Sequence, residues 1–146
     1  MLLYEAPPVS IFISYRRSSS SALAMLIHAE LRVEGFNPFL DIRTLVPGDE
    51  WHRVLRQRVM DASVFISVLA PDSLASENVA EEVAWALESP QTRIIPVLHA
   101  GLRVEDLRAG AFPQLADKNL ILLEEDRAAD IYAALEQIRM VFGLMR

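Results

Sequence analysis

The feature that most constrains the fold of this chain is a series of five short apolar runs separated by segments with helical periodicity. The runs are residues 9–15, 37–42, 64–70, 93–98 and 119–123. Most are nearly continuous rather than alternating in polarity, which is typical of strands covered on both faces, as in parallel sheets. They predict five parallel strands with helices packed against both sides of the sheet.

The segments between the runs carry apolar residues three or four positions apart, which predicts helices that face a sheet. The predicted helices are residues 22–33, 50–60, 77–87 and 128–142. The segment 101–118 contains Gly101, Gly110 and Pro113, so we expect a short or irregular helix there. Strand–helix alternation with right-handed crossovers favours a flavodoxin-like, doubly wound α/β fold with strand order 2-1-3-4-5.

Composition narrows the possible classes of protein. With 146 residues, 52% hydrophobic content and no linker of shifted composition, we expect one domain over residues 1–146 with its core at about 9–142. The net charge of -6 argues against non-specific binding to nucleic acid or to an anionic membrane. We see neither a secretory signal nor an apolar stretch long enough to span a bilayer. We therefore expect a cytoplasmic protein.

Several kinds of active site are excluded or disfavoured. The chain has no cysteine, which rules out disulfides, thiolate catalysis and zinc–thiolate sites. Its three histidines, His28, His52 and His99, lack metal-ligand spacing, so we expect no metal site. Neither G-x-G-x-x-G nor a P-loop occurs, which disfavours a redox dehydrogenase and a nucleotide triphosphatase.

Open α/β sheets bind ligands outside the carboxyl ends of their strands, at the switch in strand order. One loop at that place is residues 15–21, where Arg16 and Arg17 precede four serines that we interpret as a loop leading into a helix N-cap. Two guanidinium groups and hydroxyls before a helix suit an anionic group such as phosphate. A solvated basic turn with a serine cap is the alternative interpretation.

A second loop, residues 41–51, is long for a connection between a strand and a helix. Pro47 and Gly48 predict a turn, and Asp49 is a plausible N-cap for the next helix. Leu45 and Val46 have no evident core to join, which favours a lid or a partner-binding surface. The alternative is a flexible connector.

The third region, residues 71–83, contains a carboxylate at a helix start. We expect Ser76 to be the helix N-cap and Glu82 to lie on the border of the apolar stripe. Glu82 is therefore a candidate functional group in a partly desolvated place. The alternative is a carboxylate at the rim, paired with Arg16 or Arg17.

Taken in order, these segments resemble the TIR (Toll/interleukin-1 receptor) domain family over roughly residues 9–142. The matching motifs are residues 11–17, residues 35–41, the Pro–Gly tip of the so-called BB loop at residues 45–48, and residues 64–71. The chain is similar to NAD-cleaving TIR domains of bacterial defence proteins and of the animal NAD hydrolase that drives axon degeneration. Enzymatic members carry Ser-x-Trp-Cys-x-x-Glu at the third helix; here Ser76 and Glu82 match, whereas Asn78 and Val79 replace the Trp and the Cys.

The resemblance implies a NAD glycohydrolase that releases nicotinamide and either ADP-ribose or a cyclic product. It implies activation by TIR–TIR assembly and a role in antiphage defence or cell-death signalling. NAD would be the substrate, so no cofactor is implied; the other partners would be further TIR domains and a fused or separate sensor domain. The implied residues are Glu82 for catalysis, Tyr15, Arg16, Arg17, Asp41, Ser76 and Trp51 for NAD binding, and Thr44, Leu45, Val46, Pro47 and Gly48 for self-association through the BB loop.

One other function remains open at this point, and a second is disfavoured. The substitutions at Asn78 and Val79 are compatible with a non-catalytic interaction module that recruits other TIR domains. A phospho-receiver of similar topology would need an acidic cluster after strand one, where this chain has Arg16 and Arg17. Trp51 also has an alternative role, as an ordinary core residue.

Overall fold

The computed structural model describes residues 9–40 and 49–144. They form a five-stranded parallel sheet in the order β2-β1-β3-β4-β5. The predicted α/β class and strand order are therefore confirmed. The strands are β1 (Ile11–Tyr15), β2 (Phe39–Leu40), β3 (Val64–Leu69), β4 (Arg93–Leu98) and β5 (Ile121–Leu122).

Helices connect the strands. They are α1 (Arg17–Val33), α2 (Asp49–Asp61), α3 (Glu77–Leu87), α4 (Val104–Ala109) and α5 (Ala128–Leu144), with 3₁₀ turns at Pro71–Ala75 and Pro113–Asp117. The short α4 and the 3₁₀ turn after it agree with the irregular helix expected over residues 101–118. Helix α3 has the predicted bounds.

The start of α1 differs from the prediction. The four serines were expected in a loop, but α1 begins at Arg17, so that only Arg16 separates it from β1. Ser20 is 1% exposed, and its Oγ lies 2.7 Å from Nε2 of His99. This tertiary contact holds the serine run in the first turn of the helix, although serine is a mediocre helix former.

Both faces of the sheet are covered, which explains why the strand sequences are almost uniformly apolar. Along β3, Val64, Ile66 and Val68 pack with α1 and α5, whereas Phe65 and Leu69 pack with α2 and α3. Each large apolar side chain that is fully buried contributes about 1.5–3 kcal/mol relative to exposure. The two clusters therefore fix which helices lie on which side.

A row of small residues interrupts the face under α2 and α3. Ser14 on β1, Ser67 on β3 and Pro96 on β4 are neighbours in register across the sheet. Phe12 and Phe65 precede the two serines on that face, and their rings stack with centroids 5.7 Å apart. The smaller side chains leave room beneath α3 for a polar group from that helix.

No helix in the described part of the chain combines the length and the apolar character needed to cross a lipid bilayer.

Candidate functional site

A cleft of about 490 Å³ opens at the carboxyl ends of β1 and β3, the place where the strand order switches. Its lining comes from the end of β1, the start of α1 and the first turns of α3. The lining residues are Tyr15, Arg16, Arg17, Ser18, Ser76, Asn78 and Glu82. The fold thus brings together most of the residues expected to bind NAD.

Glu82 is the buried carboxylate of this cleft. Helix α3 is capped by Ser76, whose hydroxyl accepts a hydrogen bond from the Val79 N–H at 3.3 Å, and Glu82 follows one turn further along the helix. The residue is 2% exposed, and its Oε1 accepts a hydrogen bond of 2.8 Å from Oγ of Ser14. Glu82 is therefore a buried group, and the alternative of a carboxylate at the exposed rim does not describe it.

Burying a carboxylate among apolar groups is unfavourable unless hydrogen bonds or charges compensate. Around Glu82, the apolar neighbours on α3, Val79 and Val83, are each 1% exposed. A protein that keeps a carboxylate in such a place, open to a cleft on one side, has the features of a functional site.

The opposite wall of the cleft is basic, and part of it is already paired. Arg16 donates a hydrogen bond to the main-chain carbonyl of Asp72, and its Nε lies 3.8 Å from Oδ2 of the same residue. Ser18 Oγ donates to the same Oδ2 at 3.2 Å. Hydrogen bonds from Ser19 and Ser18 and the positive charge of Arg16 lower the pKa of the Asp72 carboxyl below its ordinary value.

The remaining members of this wall are exposed. Arg17 and Ser18 stand in the first turn of α1, a helix of 17 residues, where main-chain N–H groups point toward the cleft end of the sheet. A helix N-terminus with guanidinium groups and hydroxyls suits an anionic ligand.

The other expected residues have different outcomes. Trp51 is not among the residues that line the cleft; its ring packs at 6.5 Å from that of Phe39, against the core under α2 and α3. Its ring thus packs as a core residue would, and a contact between Trp51 and NAD stays a prediction. Asp41 and the BB-loop residues Thr44, Leu45, Val46, Pro47 and Gly48 lie outside the described residues.

Asn78 and Val79, the two residues that depart from the enzymatic motif, differ in exposure. Asn78 is exposed and lines the cleft one turn before Glu82. Val79 is 1% exposed and belongs to the core. A substitution at residue 79 therefore changes packing, whereas a substitution at residue 78 changes the cleft wall itself.

Sequence reasoning missed Ser14 and Asp72. Ser14 is a hydroxyl residue inside an otherwise apolar strand, and that exception was its only signal. Asp72 holds Arg16 across 56 positions of sequence, and no local pattern reports such a contact.

Sequence reasoning also missed a second polar cluster, formed by the buried Ser20 and His99 and the exposed Asp126. Nδ1 of His99 lies 2.8 Å from Oδ2 of Asp126, while Nε2 faces Ser20 as described above. Oδ1 of Asp126 accepts from the N–H of Ala100 at 3.1 Å. Burial raises the pKa of the Asp126 carboxyl, but the hydrogen bonds from His99 and Ala100 outweigh it and hold that pKa below the ordinary value.

Serine, histidine and aspartate in this order form the triad of many hydrolases. Here the serine hydroxyl belongs to a residue that is 1% exposed, and none of the three residues lines the cleft. The cluster therefore has a structural role: it holds the first turn of α1 against His99, the residue that follows β4.

Comparisons with known proteins identify relatives of this chain in sequence and in fold. The chain is 34% identical over 101 residues to the NAD(+) hydrolase sarm1 of Drosophila melanogaster, which covers 64% of this chain and 7% of the relative. It is 35% identical over 97 residues to the NAD(+) hydrolase tir-1 of Caenorhabditis elegans, covering 61% of this chain and 10% of the relative. The chain thus spans about a tenth or less of these relatives.

Among solved structures, the TIR domains of the activated Roq1 resistosome match with a TM-score of 0.78. That match covers 92% of this chain and 99% of the other at 16% identity, and it shows a shared fold. A family model described as a TIR domain matches residues 11–139. With nearly the whole described chain matched, this protein belongs to the TIR domain family.

Proposed function

We propose that this chain is a NAD glycohydrolase that cleaves the bond between nicotinamide and ribose. The observation that carries the proposal is the carboxylate of Glu82, buried beneath α3 and open to the cleft at the sheet's switch point. The names of the two relatives, each a NAD(+) hydrolase, support the same activity.

The chemistry needs one well-placed negative charge. As the ribose C1–nitrogen bond breaks, its electron pair moves to the positively charged pyridinium nitrogen, and nicotinamide departs as a neutral molecule. No general acid is required, because the leaving group takes no proton. Positive charge develops on the ribose, as in glycoside hydrolysis, and a carboxylate in a poorly solvated site stabilises it.

The cation is then captured by a nucleophile. Addition of water gives ADP-ribose and releases one proton, whereas attack by the adenine ring of the same molecule gives a cyclic product. In either case Glu82 stabilises the same sugar cation, so its role does not depend on which product forms.

The basic wall fits the diphosphate of the substrate. Arg17, Ser18 and the N-terminus of α1 lie across the cleft from Glu82, and Arg16 stands beside them. In the proposal they hold the diphosphate and thereby place the ribose against the carboxylate. Tyr15 and Ser76 also line the cleft, and we propose that they and Asp41 contribute to NAD binding.

We propose that assembly of several copies in the cytoplasm activates the enzyme, with Thr44–Gly48 of one copy completing the cleft of the next. The name of the Roq1 structure describes its TIR domains within an activated assembly, which supports this part. We further propose that a sensor domain triggers this assembly and that the activity serves defence or cell-death signalling.

The direct test is chromatography of the products formed from NAD. Purified wild-type protein, free and concentrated on a solid support, is incubated with NAD beside Glu82→Gln and Glu81→Gln. Glu81 is the matched control: it is the neighbouring carboxylate and bonds His52 at 2.6 Å, away from the cleft lining. We expect nicotinamide release by the wild type and by Glu81→Gln, and a loss of about 100-fold or more in Glu82→Gln.

Two outcomes would contradict the proposal. One is the absence of nicotinamide release by the wild type in both formats. The other is full activity in Glu82→Gln. Either result, combined with self-association that is lost in Leu45→Glu, would favour the non-catalytic module that recruits other TIR domains.

A further inference from the structure

Ser67, the register neighbour of Ser14, has a buried hydroxyl that finds no partner among the described residues. Ser67 on β3 is 0% exposed, and its Oγ makes no hydrogen bond within residues 9–40 and 49–144. A buried hydroxyl without a partner is unfavourable, and native proteins rarely keep one without a reason. Alanine would fit this place with no such cost.

The position of Ser67 connects it to the cleft. It is the register neighbour of Ser14, and side chains at paired positions of adjacent parallel strands lie on the same face, about 4.8 Å apart between strands. Both serines lie on the face that α3 covers. Ser14 donates its single hydroxyl proton to Oε1 of Glu82, whereas the hydroxyl of Ser67 makes no hydrogen bond within the described residues.

We propose that Ser67 is a second positioning residue for Glu82. In this proposal, rotation about χ1 turns the Ser67 hydroxyl toward the carboxylate, and Ser14 and Ser67 together keep that group directed into the cleft. The inference rests on the proposed function of Glu82 and names how that group is kept in place. It also explains why β3 and β1 both carry serine where the rest of their buried positions are apolar.

Ser67→Ala is expected to have a small effect on stability. It removes one hydrogen bond to the ionised carboxylate, so the melting temperature at pH 7 falls only slightly. The loss of one donor to a charged group lowers kcat for NAD cleavage by about fivefold to tenfold and leaves KM nearly unchanged. Because a donated hydrogen bond favours the ionised form, the acid limb of the kcat profile moves to higher pH.

Ser89→Ala is the matched control. Ser89 is also buried, at 4% exposure, but its hydroxyl is used: it donates to the Met60 carbonyl at 3.3 Å and accepts from Thr92 at 2.9 Å. We expect this variant to melt at a lower temperature and to keep the wild-type kcat and pH profile.

A titration followed by carbon NMR at the Glu82 carboxyl separates this inference from the enzymatic one. In Ser67→Ala the midpoint is expected about 0.5 higher in pH than in the wild type, whether or not the protein cleaves NAD. A wild type without nicotinamide release would defeat the proposed function alone. An unchanged midpoint, kcat and pH profile in Ser67→Ala would overturn the role of Ser67.

Discussion

Two polar clusters, centred on the buried side chains of His99 and Glu82, lie at the carboxyl ends of the strands and differ in what they face. In the Ser20–His99–Asp126 cluster every group is paired: both ring nitrogens of His99, both oxygens of Asp126 and the hydroxyl of Ser20. In the Ser14–Ser67–Glu82 cluster one hydroxyl is unpartnered within the described chain, and the carboxylate lines a cleft.

This difference suggests that the two polar networks have different roles, one in stability and one in ligand binding or catalysis. A closed network replaces the hydrogen bonds of water and fixes the position of the elements that carry it. A network left open toward a cleft gives up some stability and keeps a charge available for a ligand. The closed cluster should therefore control stability, and the open cluster should control chemistry.

The largest effect on folding is expected from the closed cluster. His99→Ala removes the partner of Ser20 and of Asp126, and the unfolding free energy should fall by about 3 kcal/mol. Turnover per folded molecule should remain within about twofold of the wild type, since His99 does not line the cleft. Urea denaturation and the NAD assay measure the two quantities.

The matched control for that experiment is His52→Ala, which removes an exposed histidine with a single carboxylate partner, Glu81. Little change in stability is expected there. If His99→Ala instead abolished turnover while the protein stayed fully folded, the closed cluster would belong to the chemistry and the division would fail.

A smaller effect is expected at the basic wall. Asp72→Asn removes the negative charge that holds Arg16, so more positive charge faces the cleft. KM for NAD should fall by about twofold to fivefold at low salt, and the change should fade at high salt, because the pair is exposed and screened. A rise in KM would show that Asp72 orients Arg16 rather than restraining it.

The smallest effect concerns pH and stability. The pKa of Asp126 is lower in the folded protein than its ordinary value of 3.8, so its contribution is complete above that value and is lost as pH falls through the folded pKa. The difference in unfolding free energy between wild type and Asp126→Asn should therefore shrink from pH 7 to pH 3. Denaturation series at pH 7, 4 and 3 would measure it, and a difference independent of pH would refute the assignment.

Much of the fold could be predicted from the sequence because both faces of the sheet are apolar. That pattern predicted the strands, and their alternation with helices through right-handed crossovers favoured the strand order. The bounds of α3 followed from local periodicity and the Ser76 cap. It misplaced the start of α1, because the first turn of that helix is held by His99, 79 positions away. Tertiary contacts of this kind leave no local trace.

The site was predictable in a similarly limited way. The rule that ligands bind at the carboxyl ends of strands located the cleft. The helical spacing of apolar residues placed Glu82 on the border of the stripe that faces the sheet, close to the start of α3. Neither rule reveals that Ser14 donates to Glu82 or that Asp72 holds Arg16, because both contacts join distant segments. Trp51 was ambiguous for the opposite reason, since an aromatic ring suits a cleft wall and a core equally well.

The most direct test of the central claim is to measure NAD affinity and the rate of bond cleavage separately in Glu82→Gln. A carboxylate that stabilises the sugar cation acts in the transition state, so affinity should stay within a few-fold of the wild type while single-turnover cleavage slows by about 100-fold or more. Loss of affinity with an unchanged cleavage rate on bound NAD would contradict the account.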